Sequence, residues 1–442
     1  MKKFLPIIIL TIITSFLIFY RLTEIPKNLS FDEVEFTKLA LSLDNKPYIA
    51  YSQLATGHST LYFYILLASL KTFGINTFAL RLPAAIFGIL SIIIFYLILE
   101  IIFKKDKILN TYYLILTTLI FLTSHWFLNF ARFSFEATFL LFLELTSIYF
   151  LFEFDQEQKA KITNFLRFVV FRQKISVSSF YIFFSGIFAG IAFLSYTPGR
   201  IFFLLPLSFL ILQTLRTLKL YKLAYFLIPL IIIITPLTAY LVTNNDTRVD
   251  QQFFLKNKEM TINEKVNGLW KNISSTALMF NIKGDVNGRH NYPNKPALNP
   301  ILGILFLIGL ISITTNYKLF NHRSLDEDGR TTNYFFLFYF LISLFPALMT
   351  YPWENPNMLR TYTALPSVIY FIGNGIYYLG TIVQRLLLKS KWKYLILNTF
   401  YLILVLSCFY ELRTYFKYQS TVFNQAFEIK LPLEKAIKVK NQ

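Results

Sequence analysis

Eleven apolar stretches, each near the length of a bilayer crossing, are spaced along the chain. They fall at 4–20, 82–103, 111–127, 134–152, 179–197, 201–215, 223–242, 300–316, 334–350, 364–384 and 394–412. A helix rises about 1.5 Å per residue, so roughly 17–22 residues cross a hydrocarbon core about 30 Å thick. The pattern predicts an all-α polytopic membrane protein, a bundle of about 11 transmembrane helices. A twelfth apolar stretch, 61–73, is shorter and carries Lys71. It is predicted to be a juxtamembrane amphipathic helix on the outer surface.

Composition agrees with this pattern. Of 442 residues, 55% are hydrophobic, above the roughly 45–50% of soluble domains. Many Tyr and Trp residues stand at the ends of apolar blocks, as interfacial belts require. The formal charge is +19, but the Lys and Arg residues lie mainly between apolar blocks. That placement points to topology and anionic lipid headgroups, not to nucleic acid. The opening Met1-Lys2-Lys3 and the absence of a small-residue cleavage site read as an uncleaved first span with a cytoplasmic N-terminus. The single cysteine, Cys408, excludes an intrachain disulfide.

With 61–73 kept out of the membrane, the Lys/Arg-rich connections all fall inside. They are Lys104-Lys105-Asp106-Lys107, the stretch 155–178, Arg216/Lys219/Lys222 and Arg385/Lys389/Lys391/Lys393. The outer face then collects loop 21–81, the turn from Arg132 to Glu136, the turn ending at Arg200, loop 243–299 and the turn from Tyr351 to Arg360. The expected organisation is one transmembrane domain, 1–412, followed by a short extracytoplasmic tail, 413–442.

Chemistry-bearing residues cluster in these outer segments. Asp32-Glu33 opens a predicted helix that Ser30 or Asp32 can cap. The pair serves either as a cap-and-dipole device or as a general base with a neighbour that binds a metal or orients a substrate. Glu136 either pairs with Arg132 at i,i+4 or helps to bind an acceptor or cation. Arg360 and Arg200 each stand at turns fixed by Pro or Gly, where a guanidinium is well placed for bidentate phosphate binding. Asp285, Arg289 and His290 lie in a turn-rich stretch suited to sugar hydroxyls or a cation. His58, His290, Asp32, Glu33, Asp285 and Glu136 could converge on a divalent metal. No tight ligand spacing such as HExxH occurs, so the cofactor stays open. Glu144, inside a span, is expected to hydrogen-bond a nearby Ser or Tyr, or to face a lipid-phosphate cavity. Asn28, Asn245 and Asn272 head glycosylation tripeptides.

The Asp-Glu pair after a first span, the stretch HSTLYFYILLASLKTFG and the segment FALRLPAAIFGIL together resemble the GT-C glycosyltransferases. The closer likeness is to the branch of protein O-mannosyltransferases and the aminoarabinose transferase of lipid A. The resemblance implies sugar transfer from a polyprenyl-phosphate donor to an acceptor at the extracytoplasmic surface. It implies Asp32 as the base for the acceptor hydroxyl and Glu33 as its neighbour, orienting the acceptor or a cation. Glu136 stands where related chains commonly have Asp, and Asn357 where many have His. Protein hydroxyl, lipid A and cell-envelope glycan all remain open as acceptors. Two rival classes are a lipid-linked glycan polymerase or ligase and a transporter or flippase.

Overall fold

The computed structural model describes residues 4–103, 109–159, 177–217, 220–314, 330–386 and 392–439. Lys104-Lys105-Asp106-Lys107, Lys219, Lys389, Lys391 and most of 155–178 and 317–333 lie outside the described residues.

A helix occupies each of the eleven apolar stretches. Among the described residues six helical runs are long and apolar enough to cross a membrane: Thr77–Ile102, Glu136–Asp155, Thr197–Leu215, Tyr221–Thr243, Thr331–Leu348 and Tyr394–Ala426. The chain is an integral membrane protein. Among the described residues four apolar helices are shorter, Leu5–Phe19, Leu61–Phe73, Ser179–Ser195 and Pro300–Ile313.

Two stretches depart from a simple crossing. The expected span 111–127 is broken: Tyr113–Thr123 and His125–Ala131 meet at 60° around Ser124. Helix Leu365–Leu386 lies in the interior of the bundle for half of its length. It is buried from Leu365 to Ile376 and includes Asn374, so protein rather than lipid surrounds it. Its partner is helix Pro300–Thr314. A side chain at Gly309 would sit 1.8 Å from the carbonyl oxygen of Phe371, and one at Gly375 2.2 Å from that of Leu305. Two glycines therefore let the two backbones touch, the small-residue packing usual between membrane helices.

Other helices of the bundle pack both on near and on more distant neighbours in sequence. Glu136–Lys159 lies against Val177–Ser195 and against Thr77–Ile102, and Val177–Ser195 also against Tyr221–Thr243. Glu144 accepts a hydrogen bond from the Tyr339 hydroxyl at 2.7 Å, the local tyrosine partner expected of it.

Helix Leu61–Phe73 exists, but not as a free surface helix. Tyr62, Phe63, Leu66, Leu67 and Leu70 are buried against helices Phe31–Ser42 and Thr77–Ile102, and Lys71 pairs with Asp44 at the exposed edge. Helix Lys393–Arg413 continues through a wide turn, Thr414–Gln419, into Ser420–Ala426. Beyond it, Ile429 exchanges two 3.0 Å backbone hydrogen bonds with Leu29, just ahead of Asp32.

Arg132 explains how this end is tied together. Its guanidinium is buried and donates to the carbonyls of Leu17 at 2.7 Å, Tyr20 at 2.7 Å, Arg21 at 3.2 Å and Ile25 at 3.3 Å, and to Ile18. It also donates to the Tyr415 hydroxyl at 3.1 Å. The open carbonyls at the end of the first helix thus gain a cationic cap. Arg132 does not pair with Glu136, which removes the i,i+4 reading.

Candidate active site

The two adjacent acids have different places. Ser30 caps helix Phe31–Ser42, accepting from Glu33 N at 3.1 Å, while Glu33 Oε2 accepts from Ser30 N at 3.2 Å. This capping box turns Glu33 back into the protein. There Arg81 donates to Oε1 at 2.8 Å and to Oε2 at 3.1 Å, with both side chains fully buried. Arg81 also donates to the carbonyls of Leu22, Pro26 and Asn28. Both Glu33 oxygens are engaged, and Glu33 does not line the cavity described next. The geometry gives it the structural half of the two readings.

Asp32, one residue earlier, faces a cavity of about 570 Å³. Its side chain is 36% exposed, and its Oδ2 lies 2.5 Å from Arg289 Nη1. The loop carrying Arg289 is held by Asp285, whose Oδ1 accepts from Asn287 N at 2.8 Å. Asp285 Oδ2 accepts from His290 Nδ1 at 2.9 Å and Met358 N at 2.9 Å. Asp285, Arg289 and His290 all line the cavity. The bonds of Asp285, however, are those of a loop brace tying 285–290 to the turn at 358.

Arg360 lines the same cavity. Asn357 Oδ1 accepts from Leu359 N and Arg360 N, which fixes that turn. The Arg360 guanidinium pairs with Glu354 and leaves Nη1 buried without a partner among the described residues. Arg200 lies on the turn Thr197–Ile201 and pairs with Asp246, leaving Nε and Nη2 buried and unpaired among the described residues. Burial favours the protonated form of Asp246, but the Arg200 charge together with hydrogen bonds from Arg200, Val249 N and Tyr51 pulls the pKa below the usual value.

Arg200 lines a second cavity, of about 230 Å³, whose wall is largely apolar: Pro198, Ile201, Phe253, Phe345, Pro346 and Met349. The two cavities share Tyr196, Arg248, Gln252 and Arg360. Two arginines therefore stand in the partition between a polar chamber and an apolar one.

Sequence reasoning missed Arg248. It belongs to the short helix Thr247–Gln252, capped by Asp246 through Val249 N. A capped arginine immediately after a span was the available signal, but Asn245-Asp246-Thr247 was read only as a glycosylation tripeptide. Asn272, head of another such tripeptide, is buried and donates to the carbonyls of Leu348 and Thr350.

His58 and Glu136 come together. The hairpin pairing Tyr51–Ser52 with His58–Ser59 delivers His58 to the cavity wall, and Gly57 makes its turn. The φ of Gly57 is +95°, and a Cβ there would meet the Tyr51 hydroxyl at 2.2 Å. His58 Nδ1 lies 2.6 Å from Glu136 Oε1, and Arg248 Nη1 sits against the ring's other nitrogen. Burial, then the Arg248 charge, lower the His58 pKa, with Glu136 opposing.

The six residues considered as metal ligands thus separate into pairs. Glu136 meets His58, Asp285 meets His290, Asp32 meets Arg289 and Glu33 meets Arg81. Among the described residues no group of three or more His, Cys, Asp or Glu is placed to hold a metal.

No family model matches the chain, and no curated protein matches it. Solved structures do match its fold. ArnT from Cupriavidus metallidurans, bound to undecaprenyl phosphate, is 12% identical with a TM-score of 0.51, covering 97% of this chain and 77% of that one. The archaeal oligosaccharyltransferase AglB from Archaeoglobus fulgidus, in complex with an inhibitory peptide and a dolichol-phosphate, is 12% identical with a TM-score of 0.55. That match covers 96% of this chain but only 56% of AglB, so the chain spans little more than half of the oligosaccharyltransferase. This chain therefore shares the polytopic membrane fold of these two structures.

Proposed function

We propose that the protein is a membrane glycosyltransferase that moves a sugar from a polyprenyl-phosphate donor to an acceptor at the extracytoplasmic face. One observation carries the reading. A polar chamber containing Asp32 shares an arginine-bearing wall with an apolar chamber. An amphiphilic donor needs this division, with its sugar on the polar side and its prenyl chain on the other. The two matched structures hold lipid phosphates, undecaprenyl phosphate and a dolichol-phosphate, which supports the donor class.

In the reaction, the acceptor oxygen attacks the anomeric carbon while the bond to the phosphate oxygen breaks. Asp32 takes the acceptor proton, and the polyprenyl phosphate departs with the bonding electrons. Arg360, Arg248 and Arg200 face that phosphate and stabilise its growing charge. Arg289 orients the Asp32 carboxylate, and His290 and Asp285 keep the Arg289 loop in place. The outward orientation of the site rests on the Lys/Arg bias of the connecting loops.

The test is donor kinetics on arginine variants. Removing one preorganised donor of this kind costs about 10²–10³-fold in rate. Arg360→Ala and Arg248→Ala should each lower kcat/KM for the lipid donor by about 10²-fold on that basis. Arg200→Ala should act chiefly on donor KM, because Arg200 lines only the apolar chamber. Unchanged donor kinetics in all three variants would remove the phosphate role.

A further inference from the structure

Among the described residues three carboxylate–histidine pairs are buried: Glu136–His58, Asp285–His290 and Glu411–His125. Two of them close on fixed structural partners. Asp285 also takes Met358 N. Glu411 also takes Asn299 at 2.8 Å and lies 3.6 Å from Lys295. The Glu136–His58 pair is different because it ends on an arginine that lines both cavities.

The proton positions follow from the donors. Arg248 can only donate, so the ring nitrogen it contacts must present a lone pair. That nitrogen is Nε2, the closer of its two ring contacts; Nδ1 is 3.0 Å from Nη1. The single ring proton is then on Nδ1, which donates to Glu136 Oε1 at 2.6 Å. A carboxylate behind an imidazole sets the tautomer in this way. Glu136 is 1% exposed, and its Oε2 has no partner among the described residues. A buried carboxylate with one oxygen unpaired is costly, and packing alone gives no reason for it. The charged groups facing His58 are Glu136 and Arg248. Elsewhere the ring is walled by Phe36 and Phe63, and Arg248 is backed by the Tyr196 ring at 5.5 Å.

We infer that Glu136 and His58 are positioning residues for Arg248: Glu136 sets the His58 tautomer, and His58 Nε2 then holds the guanidinium in the wall between the two chambers. The inference rests on the reading of Arg248 as a phosphate-facing cation. Glu136 thereby acts on the donor without touching it, in place of the acceptor- or cation-binding role expected from sequence.

Binding of undecaprenyl phosphate to the full-length protein in lipid nanodiscs tests this through a double-mutant cycle. Arg248→Ala and Glu136→Leu should each weaken binding about tenfold, while the Glu136→Leu/Arg248→Ala double variant is no weaker than Arg248→Ala, because coupled residues are not additive. Glu136→Gln keeps an acceptor for Nδ1–H and should stay within about threefold of wild type. Nitrogen NMR on histidine-labelled protein gives a second readout, with the His58 signal assigned by its loss in His58→Gln. An Nδ1–H tautomer is expected in wild type and Glu136→Gln and should be lost in Glu136→Leu. The inference is overturned if Glu136→Leu weakens the Arg248→Ala background by its full factor. It is also overturned if Glu136→Leu leaves binding unchanged while Arg248→Ala weakens it, or if His58 shows the Nε2–H tautomer. In those outcomes the phosphate reading survives. Wild-type binding by Arg248→Ala would instead overturn that reading and the inference together.

Discussion

Asp32→Asn should leave the protein folded and membrane-inserted while sugar transfer falls by about 10²–10⁴-fold, the usual worth of a positioned general base. The reason is local. Asp32 lies in the first turn of helix Phe31–Ser42, but Ser30 makes the cap and Glu33 completes the capping box. Asp32 therefore bears none of the helix's terminal hydrogen bonds. Its contact is a partly exposed pair with Arg289, and exposed ion pairs contribute roughly 0–1 kcal/mol. The amide keeps the shape and can still meet Arg289 through its oxygen, but it cannot take a proton from an acceptor hydroxyl. Thermal stability should therefore stay close to wild type. The measurement is transfer rate beside an unfolding curve on the same purified samples. An Asp32→Asn enzyme working at full rate would remove Asp32 as the base.

Glu33→Ala should do the opposite and damage the fold. The Arg81–Glu33 pair is fully buried, and Arg81 binds three loop carbonyls besides. Removing the carboxylate leaves a guanidinium charge in a low-dielectric interior and unties one side of the capping box. Breaking such a buried pair from one side costs about 3–5 kcal/mol, and loss of the cap interaction adds about 1 kcal/mol. A large drop in unfolding midpoint and poor yield are expected. The fraction that does fold should retain a substantial kcat, because Glu33 touches no part of the cavity. A Glu33→Ala protein with wild-type stability and no turnover would return Glu33 to the chemistry.

The contrast between these neighbours shows what the sequence could convey. The eleven apolar stretches and the Asp-Glu motif were legible because length, hydropathy and capping are local properties. Helix Leu365–Leu386 was also placed correctly, although its burial was not. Asn374 and the close-approach glycines Gly373 and Gly375 record an environment of protein rather than lipid, and hydropathy alone does not distinguish the two. The 60° break at Ser124 left no Pro or Gly to mark it.

Pairing was the hidden layer. Ser30 predicted a cap, but only the fold brings Arg81, 48 positions after Glu33, to the second acid. Arg132 and Glu136 have the spacing of a helical pair, but a non-helical break at 132–135 sends one to the first helix and the other to His58. Arg248 was passed over because its partners, His58 and Tyr196, lie far from it along the chain. Long-range electrostatic partners of this kind leave no periodic trace in a single sequence.

The proposed reaction releases a sugar from a polyprenyl monophosphate. Its most direct test is to give the purified protein, in lipid nanodiscs, labelled monosaccharides on polyprenyl monophosphate and oligosaccharides on polyprenyl diphosphate, and to follow the lipid products with cell-envelope extract as acceptor. The account predicts release of polyprenyl monophosphate from a monosaccharide donor, absent in Asp32→Asn. Consumption of the diphosphate-linked oligosaccharide alone, with every monophosphate donor left intact, would contradict it.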